Sequence, residues 1–174
     1  MKNLGIVLFT TLVFLMILML LGLAMAESSL MESRMSLKQL RWQQAFDAAE
    51  IGLKSIEEKI NLSSECVIPI TSSAALLLQA LSWWQASESC TGKINQFQYY
   101  YVIESLGVDT CASFENLKNK VADYFRITLL LVPEKSENLQ VMVQSTTVEP
   151  VETKIICDRS TRVVMLGRQS WRML

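Results

Sequence analysis

A chain of 174 residues has room for one compact domain and one appended element, because domains usually run to about 100–200 residues. Its 16 Lys and Arg against 17 Asp and Glu give a net charge of −1 with no basic run, which leaves no electrostatic footprint for nucleic acid. Histidine is absent, so the commonest general base near neutral pH and the commonest metal ligand are both missing, which weighs against hydrolase and metalloenzyme readings.

From Ile6 to Ala26 the chain carries no charge and is mostly Leu, Ile, Val, Phe and Met. As a helix this stretch spans about 30 Å, enough to cross the hydrocarbon of a bilayer. Lys2 and the amino terminus precede it, and Glu27 and Glu32 follow. That asymmetry places the N-terminus in the cytoplasm and everything after Ala26 on the periplasmic or extracellular side. A cleaved secretory signal is a competing reading, since Ala24-Met25-Ala26 has the small-x-small form of a signal-peptidase site. Against it, the apolar run exceeds the usual h-region of about 7–15 residues and Lys2 stands alone in the n-region. An uncut signal anchor has the same hydropathy.

Beyond Ala26 the polarity changes while helical periodicity persists. Trp42, Phe46, Ala49, Leu53, Ile56 and Ile60 follow one another at spacings of four and three, which puts them on one helix face. No proline interrupts Leu8 to Leu62, and Gly22 and Gly52 cost only about 1 kcal/mol each relative to alanine. The pattern predicts one helix from Ile6 to about Ile60, stopped by Asn61-Leu62-Ser63-Ser64. Residues 6–26 are its membrane part, 27–62 its amphipathic continuation, and 63–174 a globular domain that covers the stripe as a packed core.

Cys66, Cys90, Cys111 and Cys157 all follow the apolar segment and form no CxxC pair. A zinc site assembled from four distant thiolates is disfavoured against disulfides in an oxidising compartment, so no metal is expected. Four cysteines allow three pairings; chain order alone favours Cys66–Cys90 and Cys111–Cys157.

Ser72 to Ala86 reads as a short apolar helix capped by Ser72 or Ser73. Its neighbours Trp83 and Trp84 point about 100° apart, so one faces the core and the other is partly exposed. Phe97–Ser105, Tyr124–Val132 and Leu139–Val148 are rich in β-branched and aromatic residues and read as strands. The last two are joined by the polar residues 133–138, a hairpin loop. Thr161–Leu166, followed by Gly167 and Trp171, is expected to return as an edge strand. The fold class is therefore α+β: a long N-terminal helix packed against a small antiparallel sheet. No phosphate loop, nucleophile elbow or spaced carboxylate cluster occurs, and Asp109, Asp123 and Asp158 read as isolated, solvated acids. No cofactor and no catalytic residue are nominated.

Gly5-Ile6-Val7-Leu8 entering an apolar helix resembles the type IV pilin-like proteins. More specifically, Leu21-Gly22-Leu23-Ala24, Ser29 to Met35 and Arg41 to Glu50 resemble the N-terminal region of PilX-type minor pilins, with Ala45-Phe46-Asp47-Ala48-Ala49-Glu50 the most specific run. Tyr100–Glu104, Tyr124–Thr128, Val143–Thr146 and Gly167–Arg172 are similar to later parts of that family. The resemblance implies a non-enzymatic assembly protein: residues 1–5 a leader cut between Gly5 and Ile6, Ile6 methylated, and the chain held in the bacterial inner membrane before joining the pilus tip. It implies other minor pilins and a tip adhesin as partners, in a complex that primes type IV pilus assembly. Thr10 stands where major pilins carry a glutamate; a threonine hydroxyl is satisfied on its own helix and needs no charged neighbour, which fits a place at or near the tip. Glu32 and Glu50 recur in the resemblance, and either a solvated surface role or an intersubunit ion pair accommodates them. A type II secretion pseudopilin is the related alternative, and a signal-anchored periplasmic enzyme or binding protein the alternative from another class.

Overall fold

A computed structural model describes residues 4–60, 66–86, 89–115, 117–134, 139–152, 157 and 162–174. Helix α1 (Leu4–Glu57) is continuous, as the lack of proline requires. Its last turn tightens through Lys59 N–H donating to the Ile56 carbonyl; the predicted stop at 61–64 lies outside the described residues. The chain divides into two compact units, Met1–Gln43 and Gln44–Leu174. Among its described residues the first is helix alone, exposed from Leu8 onward.

Among its described residues the second unit holds the end of α1, two short helices α2 (Ser73–Leu77) and α3 (Leu81–Trp84), and seven strands. These are β1 (Val67–Ile68), β2 (Cys90–Ile94), β3 (Phe97–Phe114), β4 (Leu117–Pro133), β5 (Val141–Glu152), β6 (Arg162–Val163) and β7 (Gly167–Met173). They form one sheet in the order β1-β3-β4-β5-β7, with β2 and β6 also paired to β3. The α+β class stands, but the sheet is mixed: β1 and β6 run parallel to β3, and the other pairs are antiparallel.

Side chains alternate across the strands, and both faces of the central strands are covered. On one face Ala45, Ala48, Ala49, Leu53, Ile56 and Ile60 of the helical segment pack on Ile103, Ile127, Leu129, Leu131, Val141 and Val143. The other face packs Tyr100, Val102, Leu130 and Met142 against Ile68, Leu76 and Trp84. Burial on both sides explains why Leu129-Leu130-Leu131-Val132 is a continuous apolar run in an antiparallel strand. Of the expected stripe, Ala49, Leu53, Ile56 and Ile60 are buried, and burial along the helix begins later than the periodicity suggests. Trp42 is 42% exposed, and Phe46 is only half-buried. Ala45 and Ala48 take their place, because small residues let a helix lie close to a sheet. Gly52 continues this: a Cβ there would stand 3.1 Å from Ile94 Cδ1 and 3.2 Å from Leu129 Cδ1.

Several other expectations change. The helix expected over Ser72–Ala86 is broken at Leu78, Gln79 and Ala80. Ser72 does cap α2, accepting from Ala75 N–H. A continuous helix would set Leu76 and Trp84 about 80° apart; extended backbone at Ala80 lets both enter the same core. Trp84 is fully buried and Trp83 half-buried, their rings T-shaped with centroids 5.1 Å apart. β3 and β4 run far beyond their expected ends, through register shifts near Gly107, whose φ of 101° suits only glycine. The expected edge strand over 161–166 is reduced to β6, and the edge position belongs to β7, entered through Gly167 at φ 88°.

Cys66 is paired with Cys90 and Cys111 with Cys157. The first bond joins the start of β1 to the start of β2, both seated on β3. The second ties Cys111, near the C-terminal end of β3, to Cys157.

Candidate functional site

The candidate site is built from α1 and from the strands that close on its end. Among the described residues no group of three or more Cys, Asp and Glu side chains comes together to hold a metal. Gly5 and Ile6 lie within α1. Thr10 is exposed, and the next residue, Thr11, donates its hydroxyl to the Leu8 carbonyl at 2.9 Å. From Leu8 to Met25 the apolar side chains are exposed on every face, and this helix is long and apolar enough to cross a membrane.

Beyond the apolar segment, α1 carries two kinds of uncovered apolar face. Met35 and Trp42 precede Ala49 in seven-residue steps, which return to nearly the same helix face; both are exposed while Ala49 is buried. Leu30, Leu37 and Ile51 mark another face, again at multiples of seven, and each is exposed by more than half. Seven-residue recurrence is the spacing with which helices pack along one another. Arg34, Arg41 and Glu32 are exposed between them.

Where α1 ends, β7 is fastened to it. Arg168 directs Nε and Nη2 to the Glu57 carboxylate at 2.9 Å each, and Ser145 Oγ donates to Glu57 Oε1 at 2.7 Å. Glu50, 57% exposed, approaches Arg168 at 3.7 Å, so one partner of this glutamate lies within the chain. Phe46 and Trp171 stack edge to face at 5.3 Å. These contacts were not legible in the sequence, since 111 residues separate Glu57 from Arg168.

The other long-range polar device is Glu104, fully buried on β3. It accepts Nε and Nη2 of Arg126 at 2.7 and 2.9 Å and the Thr71 N–H at 2.6 Å, while Arg126 Nη2 also reaches the Thr71 carbonyl. The only available sequence signal was an acid in a strand otherwise rich in apolar residues.

The isolated acids behave differently from expectation. Asp109 is not merely solvated: it accepts the Cys111 N–H and the Arg162 guanidinium, at 2.9 and 3.0 Å, because β3 kinks there and β6 lies alongside. Asp123 keeps Oδ1 buried without a hydrogen-bond partner. Burial raises its pKa above the ordinary carboxylate value, partly offset by a backbone hydrogen bond from Tyr124. Asp158 lies outside the described residues.

Residues 5–54 match the family model described as PilX N-terminal. No curated protein and no solved structure matches the chain.

Proposed function

We propose, from the match of residues 5–54 to the PilX N-terminal family model, that the chain is a PilX-type minor pilin and that it acts in the tip complex that primes type IV pilus assembly. Residues 1–5 are the leader, removed by cleavage between Gly5 and Ile6, with Ile6 then methylated. Residues 6–26 cross the inner membrane with the N-terminus in the cytoplasm, 27–62 continue the helix, and 63–174 form the periplasmic domain.

The observation that carries this reading is an α1 apolar on all sides from Leu8 to Met25 and uncharged at Thr10. In the membrane those side chains face lipid; in a pilus they face helices of other pilins. A charged residue in that environment demands a partner, and Thr10 demands none from a neighbour. The exposed Met35, Trp42, Leu37 and Ile51 extend helix packing past the membrane segment. The domain surface then selects among other minor pilins and the tip adhesin. The protein's role is structural, and no turnover is assigned to it.

The test is the intact mass and N-terminal sequence of the protein recovered from membranes with and without prepilin peptidase. A methylated Ile6 that depends on the peptidase is the expected result. A chain starting at Glu27, or one keeping Met1 in both strains, overturns it. With processing established, loss of surface pili on deletion of the gene, restored by the wild-type chain, tests the priming role.

A further inference from the structure

The two edges of the sheet are treated differently. On one side, β3 has its outer edge occupied along much of its length: β2 pairs with Phe97–Tyr101, β1 with Ile103 and Glu104, and β6 with Ala112 and Ser113. On the other side, β7 pairs with β5 and, among the described residues, with nothing beyond it. The Leu174 N–H donates to the Met142 carbonyl at 3.0 Å. In an antiparallel ladder, inward and outward residues alternate. Arg172 therefore turns its backbone groups toward β5, and Trp171 and Met173 turn theirs outward. β7 contains neither proline nor lysine; it carries Arg168 and Arg172 and a register shift where Ser170 and Arg168 face Thr146 and Thr147, while Trp171 and Met173 keep regular pairing with β5.

The residues leading into β7 reinforce this. Val163, Met165 and Leu166 are 66%, 83% and 59% exposed and, with Phe114, Leu117 and the one acid Glu115, line a groove of about 470 Å³. An exposed run of consecutive apolar residues marks a binding surface in a natural protein. Charge then narrows the occupant. From Arg162 to Leu174 there are three arginines and no acid. Asp109 answers Arg162, and Glu57 answers Arg168. Among the described residues, Arg172 is held by neutral oxygens, Gln144 Oε1 at 2.6 Å and Ser73 Oγ at 2.8 Å.

We propose that the outer edge of β7, together with the Val163–Leu166 groove, is a docking site for an extended, carboxylate-bearing segment of a partner protein, which adds a strand to this sheet. Backbone bonds to Trp171 and Met173 supply affinity, and a carboxylate on Arg172 supplies choice. Apolar side chains of the incoming strand cover Met165 and Leu166. A second copy of the chain is the poorer occupant, since its own β7 would bring another Arg172 and no carboxylate. This goes beyond the tip-complex reading and does not depend on leader cleavage.

The experiment places a photo-crosslinker at Ser170, an exposed β7 residue, in the full chain expressed in its own cells, and identifies the crosslinked peptide by mass spectrometry. The expected product is one partner peptide carrying Asp or Glu within the crosslinked strand. Met173→Pro removes an outward N–H and nothing from the β5 ladder, so crosslinking falls about tenfold, the equivalent of one hydrogen bond in a desolvated edge. Arg172→Glu lowers it comparably, whereas Arg172→Lys retains most of it. Crosslinking to a second copy, to lipid, to a peptide without acids, or to nothing overturns the proposal, as does an unchanged yield in Met173→Pro. Should the proline variant fail to form its disulfides, the Arg172→Glu and Arg172→Lys pair decides alone.

Discussion

Arg168 and Glu57 meet through two hydrogen bonds of 2.9 Å, joining the edge strand β7 to the last turn of α1. Both groups are mostly buried, and Ser145 adds a third bond to the same carboxylate. Glu57→Ala strands the Arg168 guanidinium and loosens β7. The expected destabilisation is about 1.5–3 kcal/mol, the usual contribution of hydrogen bonds to charged groups. Denaturant unfolding measures it, and hydrogen exchange should quicken first in Gly167–Met173.

Glu104 presents a larger effect, because its carboxylate is fully buried and Arg126 is 19% exposed. Glu104→Ala leaves the arginine without its counter-charge and the Thr71 N–H without its acceptor. Breaking such a pair costs about 3–5 kcal/mol. An Arg126→Met, Glu104→Leu double variant should recover much of that loss in the same unfolding assay, since the charge to be buried disappears with its partner.

Asp123 predicts a pH dependence of stability. Desolvation holds its folded pKa above the unfolded value, so the native state binds more protons than the unfolded state between the two. Stability therefore falls as pH rises from about 4, the unfolded value, through the folded pKa, and the full penalty is present above it. Asp123→Asn should be more stable than wild type at pH 7, with the advantage shrinking toward pH 4. Paired denaturant titrations across that range check the sign.

The disulfides close loops with sequence separations of 24 and 46 residues. Chain-entropy arguments assign them about 3.5 and about 4 kcal/mol respectively. Cys111→Ser with Cys157→Ser should lower the denaturation midpoint and free the Val163–Leu166 segment to protease first, whereas loss of Cys66–Cys90 should expose β2 first. Limited proteolysis of each variant separates the two.

Much of the architecture is written in local pattern. The apolar, proline-free N-terminus implies a continuous helix because hydropathy and the absence of a breaker act on neighbouring residues. The stripe from Ala49 to Ile60 follows from periodicity, and the central parts of β3, β4 and β5 from β-branched and aromatic enrichment. Trp42 shows the limit: it has the right spacing yet is 42% exposed, because coverage is a tertiary property that spacing does not encode.

The sequence by itself determined the long helix and the α+β class, and it carries the resemblance in Gly5–Leu8, Leu21–Ala24, Ser29–Met35 and Arg41–Glu50, since each is a property of composition or short-range order. Only the tertiary structure decided that Cys90–Ile94, which lacks an apolar alternation, becomes a strand. There, β3 supplies the partner, and the Tyr99 ring occupies the space a side chain at Gly92 would need. It also decided the Glu104–Arg126 and Glu57–Arg168 pairs and the choice of β7 as the open edge. Strand pairing and charge pairing reward residues far apart in the chain, and the free energy of those contacts exists only after the backbone has brought them together.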